Sequence, residues 1–236
     1  MCNRYRAMGR EALIAYAREL LGIEWDIPGP RYNIAPNQTA PIFVKDDAGN
    51  PAVTVARWNL IPHFEGEKSG YLRTNARSED VLAKPSYREA AQKRRCLVPG
   101  DGFYEWEWAD GGKVKLPWAF ELAGGHPFSF AGLWERGGEE KPPSFTILTT
   151  KPNELLAKIH DRMPVVLSDA DARRWITPGP LNPESLAPFV TPFPAARMNC
   201  YRVNQALNSV RNDTAEAAAP RNSDDSIAKP AQGELF

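Results

Sequence analysis

CLVPGDGFYEWEW (residues 96–108) is the first of four strand-like segments in the middle of the chain. The others are KVKLPWAFEL (113–122), PFSFAGLWER (127–136) and SFTILTT (144–150). Aromatic and β-branched residues are frequent in all four, and Gly-rich turns such as ADGGK (109–113) separate them. Because strands joined by tight turns pair antiparallel, this region predicts an antiparallel sheet.

Shorter elements surround this sheet. The segment 10–23 has the apolar spacing of an amphipathic helix, whereas PGPRYNIAPNQ (28–38) is too rich in Pro, Asn and Gly for regular structure. A hairpin is predicted over 40–58 and a helix over 86–95, with Ser86 as its N-cap. The later predictions are a short helix at 153–160, a strand at 163–167, helices at 169–176 and 183–190, and a last strand at 198–204.

These elements predict one α+β domain over residues 2–207, built on an antiparallel, barrel-like β-sheet with short helices at its periphery. After about Asn208 the chain is polar, dotted with Pro and poor in large apolar residues. We therefore expect residues 208–236 to form a disordered tail.

Composition narrows the function. The chain of 236 residues carries 29 basic and 29 acidic side chains, so a polyanion would have to bind a local basic patch. No stretch resembles a signal peptide or a membrane span. The three cysteines are scattered and lack the spacing of disulfides or zinc ligands. We expect a cytoplasmic protein in a reducing compartment, with no metal and no cofactor.

Cys2 stands where a buried core least needs a cysteine. Removal of Met1 would leave Cys2 with an amine and a thiol two carbons apart, a pair of nucleophiles that no internal residue offers. Chain starts are also tolerant of substitution, so Cys2 alone favours no function.

Three further segments carry candidate catalytic residues, each with a structural alternative. Asn75, Arg77 and Glu79 alternate and could share one face of an extended segment, or line a solvated edge strand. Glu105 lies among aromatic residues, which would raise its pKa and suit it to acid–base work. Alternation could instead turn Glu105 and Glu107 outward, while the aromatic residues between them pack inward, namely Tyr104, Trp106 and Trp108. His160 could transfer protons or simply be a cation at a helix C-terminus.

Taken together, several motifs resemble one family. Met1-Cys2, RYNIAPNQ (31–38), WNLIP (58–62), TNARSE (74–79), RRCLVPGDGFYEW (94–106) and HDRMP (160–164) occur in the order and approximate spacing of the SOS-response-associated peptidase-like (SRAP) family, also called abasic site processing proteins. The resemblance covers residues 2 to about 204. It implies an α+β fold whose positively charged groove holds single-stranded DNA containing an abasic site. With this DNA partner, we expect a nucleoid-associated monomer.

The resemblance also implies roles for individual residues. Cys2 matches the covalent nucleophile, Asn75 the residue that orients it, and Glu105 and His160 the acid–base pair. Cys2 would capture the abasic aldehyde as a thiazolidine and protect the lesion during replication, with AP-lyase activity and reversal also open. The DNA-binding residues implied are Arg4, Arg77, Trp106, Arg162 and Phe64. Asn59 stands where the family has Gly, and Phe64 where it usually has Trp, so we expect Phe64 to act as the wedge at a DNA junction with weaker stacking.

Three other functions remain open. Cys2, His160 and a carboxylate or Asn75 could form a cysteine peptidase triad that also removes Met1. An amidotransferase with an N-terminal cysteine would need a glutamine site, for which no motif is present. A plain single-strand binding module would keep its DNA affinity in Cys2→Ala.

Gln232, Leu235 and Phe236 in the tail resemble the peptide by which bacterial replication proteins dock on the sliding clamp.

Overall fold

The computed structural model describes residues 2–26, 29–67, 70–177 and 179–221. Within these ranges the chain forms two sheets flanked by short helices, which confirms the predicted α+β class. The strands are β1 (Tyr5–Ala7), β2 (Arg31–Ile34), β3 (Thr39–Lys45), β4 (Pro51–Trp58), β5 (Asn75–Arg77), β6 (Arg95–Gly100), β7 (Gly102–Ala109), β8 (Val114–Leu122), β9 (Phe128–Glu135), β10 (Ser144–Thr150), β11 (Met163–Pro164), β12 (Val166–Leu167) and β13 (Met198–Arg202). The α-helices are α1 (Arg10–Leu21), α2 (Pro85–Lys93), α3 (Asp169–Ile176), α4 (Pro183–Leu186) and α5 (Ala215–Ala218).

The larger sheet closes on itself. Its hydrogen-bonded order β10–β4–β3–β6–β9 returns to β10 through the pairing of β9 with β10. Most neighbours are antiparallel, as predicted, but β10 runs parallel to both β4 and β5. Neither β4 nor β5 is joined to β10 by a hairpin, so a turn does not dictate their relative direction. The predicted barrel-like sheet is therefore confirmed. Its two parallel strand pairs could not be predicted from the tight turns in the sequence.

Aromatic rings join the barrel to the start of the chain. Tyr5 packs edge-on against Trp58 at 5.2 Å and against Phe130 at 5.7 Å between ring centroids. Trp58, which is fully buried, donates its indole N–H to the Thr74 carbonyl at 2.7 Å. The indole N–H is thus satisfied inside the core, and the chain is held at the residue just before the strand that carries Asn75.

The opening segment 96–108 is two strands rather than one. It divides at Asp101 into β6, which belongs to the barrel, and β7, which belongs to a second sheet of order β13–β8–β7–β1–β2. The Asp101 carboxylate accepts hydrogen bonds from Met8 N at 2.7 Å and Gly9 N at 2.8 Å, and so holds the turn that leads from β1 into α1. A Cβ at Gly102 would lie 2.5 Å from Arg6 Nε, so a larger residue at this corner would displace the buried Arg6 side chain.

Two local predictions are wrong. Residues 31–34, expected to be irregular, form β2, because their backbone pairs with β1. Ser86 is not the N-cap of α2; the helix begins one residue earlier, with Pro85 in its first turn and Lys84 as the capping position. Proline suits that place since the first helical N–H has no partner within the helix. In the described part of the chain, no helix has the length and apolar composition needed to cross a membrane.

The packed chain extends beyond residue 207. Asp213 accepts hydrogen bonds from Asn33 N at 2.8 Å and from Tyr32 N, and Arg221 N donates to the Arg202 carbonyl at 2.8 Å. Residues 208–221, placed in the tail by their composition, therefore lie against β2 and β13, held by polar contacts that apolar periodicity does not reveal. Gln232, Leu235 and Phe236 lie outside the described residues.

Candidate functional site

Cys2 and Asn75 meet although they are far apart in sequence. Cys2 is fully buried, and its carbonyl accepts a hydrogen bond from Asn75 Nδ2 at 2.9 Å. β5 holds Asn75 there through its parallel pairing with β10. Asn75 Oδ1 is buried and has no hydrogen-bond partner in the part of the chain described, so this acceptor is available to a donor brought by a substrate.

The predicted alternation of β5 is confirmed. Ala76 and Ser78 are buried, whereas Asn75 is half-buried and Arg77 and Glu79 are exposed on the other face. The strand itself ends at Arg77.

Glu105 is the buried carboxylate of this region. Its side chain is 3% exposed, whereas Trp108, on the other face of β7, is 58% exposed. The alternative in which alternation turns Glu105 outward and Trp108 inward is therefore wrong, because the Glu105 face of β7 is turned toward the core and the start of the chain. Desolvation raises the pKa of Glu105 to about 7, against a lowering contribution from the Trp106 N–H. At neutral pH both protonation states are populated.

The Cys2 thiol lies in the same desolvated environment as Glu105. Burial, with the nearby Glu105 carboxylate adding to it, raises the thiol pKa far above its ordinary value. A thiolate is therefore scarce at neutral pH, and reaction at sulfur needs a neighbour that takes the proton. Cys2 Sγ donates to the Arg4 carbonyl at 3.6 Å, and no hydrogen bond joins it to His160 among the described residues. The arrangement lacks the cysteine–histidine contact of a peptidase triad.

His160 lies beside Glu105. Its Nε2 is 4.0 Å from a Glu105 carboxylate oxygen, while its Nδ1 accepts the Arg162 N–H at 3.0 Å. The predicted helix at 153–160 is only a 3-10 turn over Leu156–Lys158, so His160 is not a helix C-terminal residue. Desolvation lowers its pKa, which keeps the ring neutral at physiological pH. Nδ1 also lies 3.0 Å from an Asp161 carboxylate oxygen and 3.2 Å from the Arg162 carbonyl, so either ring nitrogen can carry the proton.

Arg162 anchors the loop that carries His160. Its guanidinium forms a two-pronged ion pair with Glu79, at 2.7 and 2.8 Å, and donates to the Thr149 carbonyl at 2.7 Å. Hydrogen bonds from Arg162 lower the pKa of Glu79 to about 2, so the pair stays charged at physiological pH. Arg162 is 9% exposed. These contacts give it a positioning role; a direct contact with DNA stays a prediction.

Glu79→Gln tests this positioning role. Loss of the ion pair should loosen the His160 loop, so the pKa of His160, followed by NMR, should rise toward its ordinary value as the ring becomes more hydrated. The site's activity at saturating substrate should fall severalfold. Glu139→Gln, at an exposed glutamate, is the matched control. An unchanged His160 titration in Glu79→Gln would refute the role.

The predicted DNA-binding residues are not all in one place. Arg4 and Trp106 line a cleft of about 310 Å³ with Glu105 and His160, and the Arg4 guanidinium lies 5.5 Å from the Trp106 ring centroid. Arg77 is exposed next to Asn75, and among the described residues its guanidinium has no carboxylate partner. Phe64 is 55% exposed on the loop after β4 and is not part of the cleft lining.

The cleft also contains residues that the sequence did not single out. These are Asn3, Trp108, Lys115 and Asn208. Trp108 and Lys115 face each other in the register of the β7–β8 hairpin, so counting back from the Gly-rich turn could have paired them. Asn208 accepts the Trp106 indole N–H at 2.6 Å from a segment that composition assigned to the tail. Within the described ranges, no group of three or more His, Cys, Asp or Glu side chains is placed to hold a metal ion.

Comparison with known proteins identifies relatives of this chain. The sequence profile of the SOS response associated peptidase (SRAP) family matches residues 1–210. Abasic site processing protein YoqW of Bacillus subtilis is 40% identical over 191 residues, which cover 79% of this chain and 84% of that protein. Abasic site processing protein HMCES of Mus musculus is 29% identical over 231 residues, covering 81% of this chain and 65% of that protein.

The fold agrees with this result. A crystal structure of a protein from Bacteroides thetaiotaomicron matches with a TM-score of 0.77 at 26% identity, covering 94% of this chain and all of that one. Motifs, fold and sequence similarity thus lead to one conclusion: the chain belongs to the SRAP family.

Proposed function

We propose that this protein processes abasic sites in single-stranded DNA by covalent capture on Cys2 after removal of Met1. The observation that carries the proposal is the convergence of Cys2, Asn75, Glu105 and His160 from four distant parts of the chain beside one cleft. Two relatives named as abasic site processing proteins supply the substrate class.

The chemistry follows from the two nucleophiles of an N-terminal cysteine. The Cys2 amine adds to the C1′ aldehyde of the ring-opened sugar, and loss of water gives an imine. Sγ then bonds to the imine carbon while the thiol proton is transferred to nitrogen, which closes a five-membered thiazolidine. A lysine would stop at an imine that water reverses, and a lone thiol would give only a labile hemithioacetal.

The neighbouring residues serve the proton transfers in this proposal. Protonated Glu105 gives a proton to the departing hydroxyl of the carbinolamine, and the ionised form accepts a proton from the Cys2 nucleophiles. His160 exchanges protons with Glu105 across the 4.0 Å between them, with water or substrate completing the path. Asn75 Nδ2 holds the Cys2 carbonyl, and its unpartnered Oδ1 accepts from the amine or from a sugar hydroxyl. Elimination of the 3′ phosphate from the imine would add strand cleavage, an AP-lyase activity.

The test is a denaturing gel of the protein with single-stranded DNA that carries one abasic site. We expect a band retarded by the mass of the 26.3 kDa chain with the lesion and none with intact DNA. Prior reduction of the lesion aldehyde to an alcohol should abolish the band. A protein shown by mass spectrometry to lack Met1 that binds this DNA but forms no such band would be a binding module, and the proposal would be wrong.

A further inference from the structure

The tip of the β7–β8 hairpin extends the cleft beyond the residues assigned above. Trp108 and Lys115 are direct cross-strand partners, and both line the cleft that contains Glu105 and His160. The Lys115 ammonium lies 4.6 Å from the Trp108 ring centroid, yet Trp108 is 58% exposed. A large indole with a cation beside it is therefore presented to solvent at the edge of the site.

A second aromatic–cation pair precedes it on the same strand. Trp106 and Trp108 are two residues apart on β7, so their side chains share one face and are spaced by about 7 Å. The Arg4 guanidinium accompanies Trp106, as Lys115 accompanies Trp108. Trp106 is fixed by its bond to Asn208, whereas the Trp108 side chain remains open. Repeated aromatic surfaces with cations between them are the usual pattern for binding a single nucleic-acid strand.

Charge on this face favours an anion. The intervening acidic residue, Glu107, lies on the opposite face of the strand, where its carboxylate accepts the Trp118 indole N–H at 3.0 Å. The cleft lining carries two cations, Arg4 and Lys115, and one carboxyl, the buried Glu105, so the exposed charge beside Trp108 is the Lys115 ammonium.

We infer that Trp108 and Lys115 form a nucleotide subsite beside the Cys2 centre. The indole stacks on the base of a nucleotide that flanks the abasic residue, and the ammonium contacts the phosphate of that nucleotide. This inference rests on the proposed function, since the lesion itself has no base to stack. Stacking energy for recognition must come from its neighbours, and an exposed ring at the edge of the site supplies it.

The test pairs protein variants with DNA variants. Binding is measured by fluorescence anisotropy on a single strand that carries a tetrahydrofuran abasic analogue, which has no aldehyde and cannot form an adduct. Trp108→Ala should weaken binding about tenfold and Trp108→Phe less than threefold, because one base–aromatic stack is lost or kept. With the flanking base also removed, on the 5′ or the 3′ side, the effect of Trp108→Ala should vanish for one of the two strands.

Lys115 has its own readout. Lys115→Ala should weaken binding. It should also reduce the slope of log Kd against log salt concentration by the amount expected for the loss of about one phosphate contact. Lys113→Ala, an exposed lysine of the same hairpin that does not line the cleft, should leave both unchanged.

Two results would overturn the subsite. One is a Trp108→Ala protein, folded by circular dichroism, that binds within twofold of the parent. The other is a loss of affinity that persists when both flanking bases are absent. Because the analogue cannot react, these affinities can be interpreted even if the protein does not capture true abasic DNA covalently. The subsite and the proposed function can therefore be refuted independently.

Discussion

Cys2→Ala is expected to abolish the denaturation-resistant adduct while leaving a weaker reaction at the amine. Alanine keeps the α-amine, so an imine with the abasic aldehyde can still form and can be trapped by borohydride. Without sulfur the thiazolidine cannot close, and the untrapped imine returns to aldehyde or eliminates the 3′ phosphate. We therefore expect no stable band, a band after borohydride, and strand cleavage.

A complementary variant separates the two nucleophiles. Insertion of a glutamate between Met1 and Cys2 prevents removal of the methionine and keeps the thiol but denies Cys2 a free amine. This protein should give neither the stable band nor the borohydride band at Cys2. Cys200→Ala is the matched control, since Cys200 is a buried cysteine outside the site and its loss should leave capture unchanged.

The alternatives predict other patterns. A peptidase in which Cys2 acts through sulfur alone would need a histidine as its base, and Sγ contacts the Arg4 carbonyl instead. A stable adduct that survives in Cys2→Ala would remove Cys2 from the proposal. A stable adduct in the insertion variant would show that the thiol suffices and that the α-amine has no part in capture.

Most of the fold could be predicted where local patterns decide it. The hairpin of β3 and β4 has alternating residues and a Gly-containing turn, and it forms as expected. β2 could not be predicted, because its residues are poor strand formers and become a strand only through pairing with β1. The division of 96–108 at Asp101 also could not be predicted, since it depends on the contacts of Asp101 with Arg6 and with the backbone N–H groups before α1.

The candidate site, like the fold, could be predicted only in part from the sequence. Motif resemblance pointed to Cys2, Asn75, Glu105 and His160, which are indeed neighbours in the structure. Sequence could not decide whether Glu105 faces the core or solvent, because alternation leaves open which face of β7 is covered. It also could not show that Arg162 is held by Glu79, or that Asn208 and Lys115 reach the cleft, since these contacts join segments distant in the chain.

Glu105→Gln is expected to stabilise the fold above pH 7 while slowing capture. The folded-state pKa of Glu105 is about 7, against an ordinary value of 4.5. Below pH 4.5 the carboxyl is protonated in both the folded and unfolded states and contributes no difference. As the pH rises from 4.5 to 7 the unfolded chain releases this proton and the folded chain retains it, so the folded state loses stability. Above pH 7 the cost of the buried carboxylate reaches about 3 kcal/mol.

Glutamine keeps the shape of the side chain and removes its titration. Glu105→Gln should therefore unfold in urea with the same free energy as the parent at pH 4.5 and with up to about 3 kcal/mol more at pH 8. Capture at saturating DNA should fall about 100-fold or more, the usual loss when a general acid–base is removed, and its pH inflection near 7 should disappear. Glu107→Gln, on the same face of β7 but outside the cleft lining and bonded to the Trp118 indole N–H, is the control and should keep the inflection. The contrary result is a Glu105→Gln protein that is no more stable than the parent at pH 8 and keeps its capture rate and pH profile. It would mean that the buried carboxylate neither destabilises the fold nor transfers protons, and that capture depends on Cys2 and Asn75 alone.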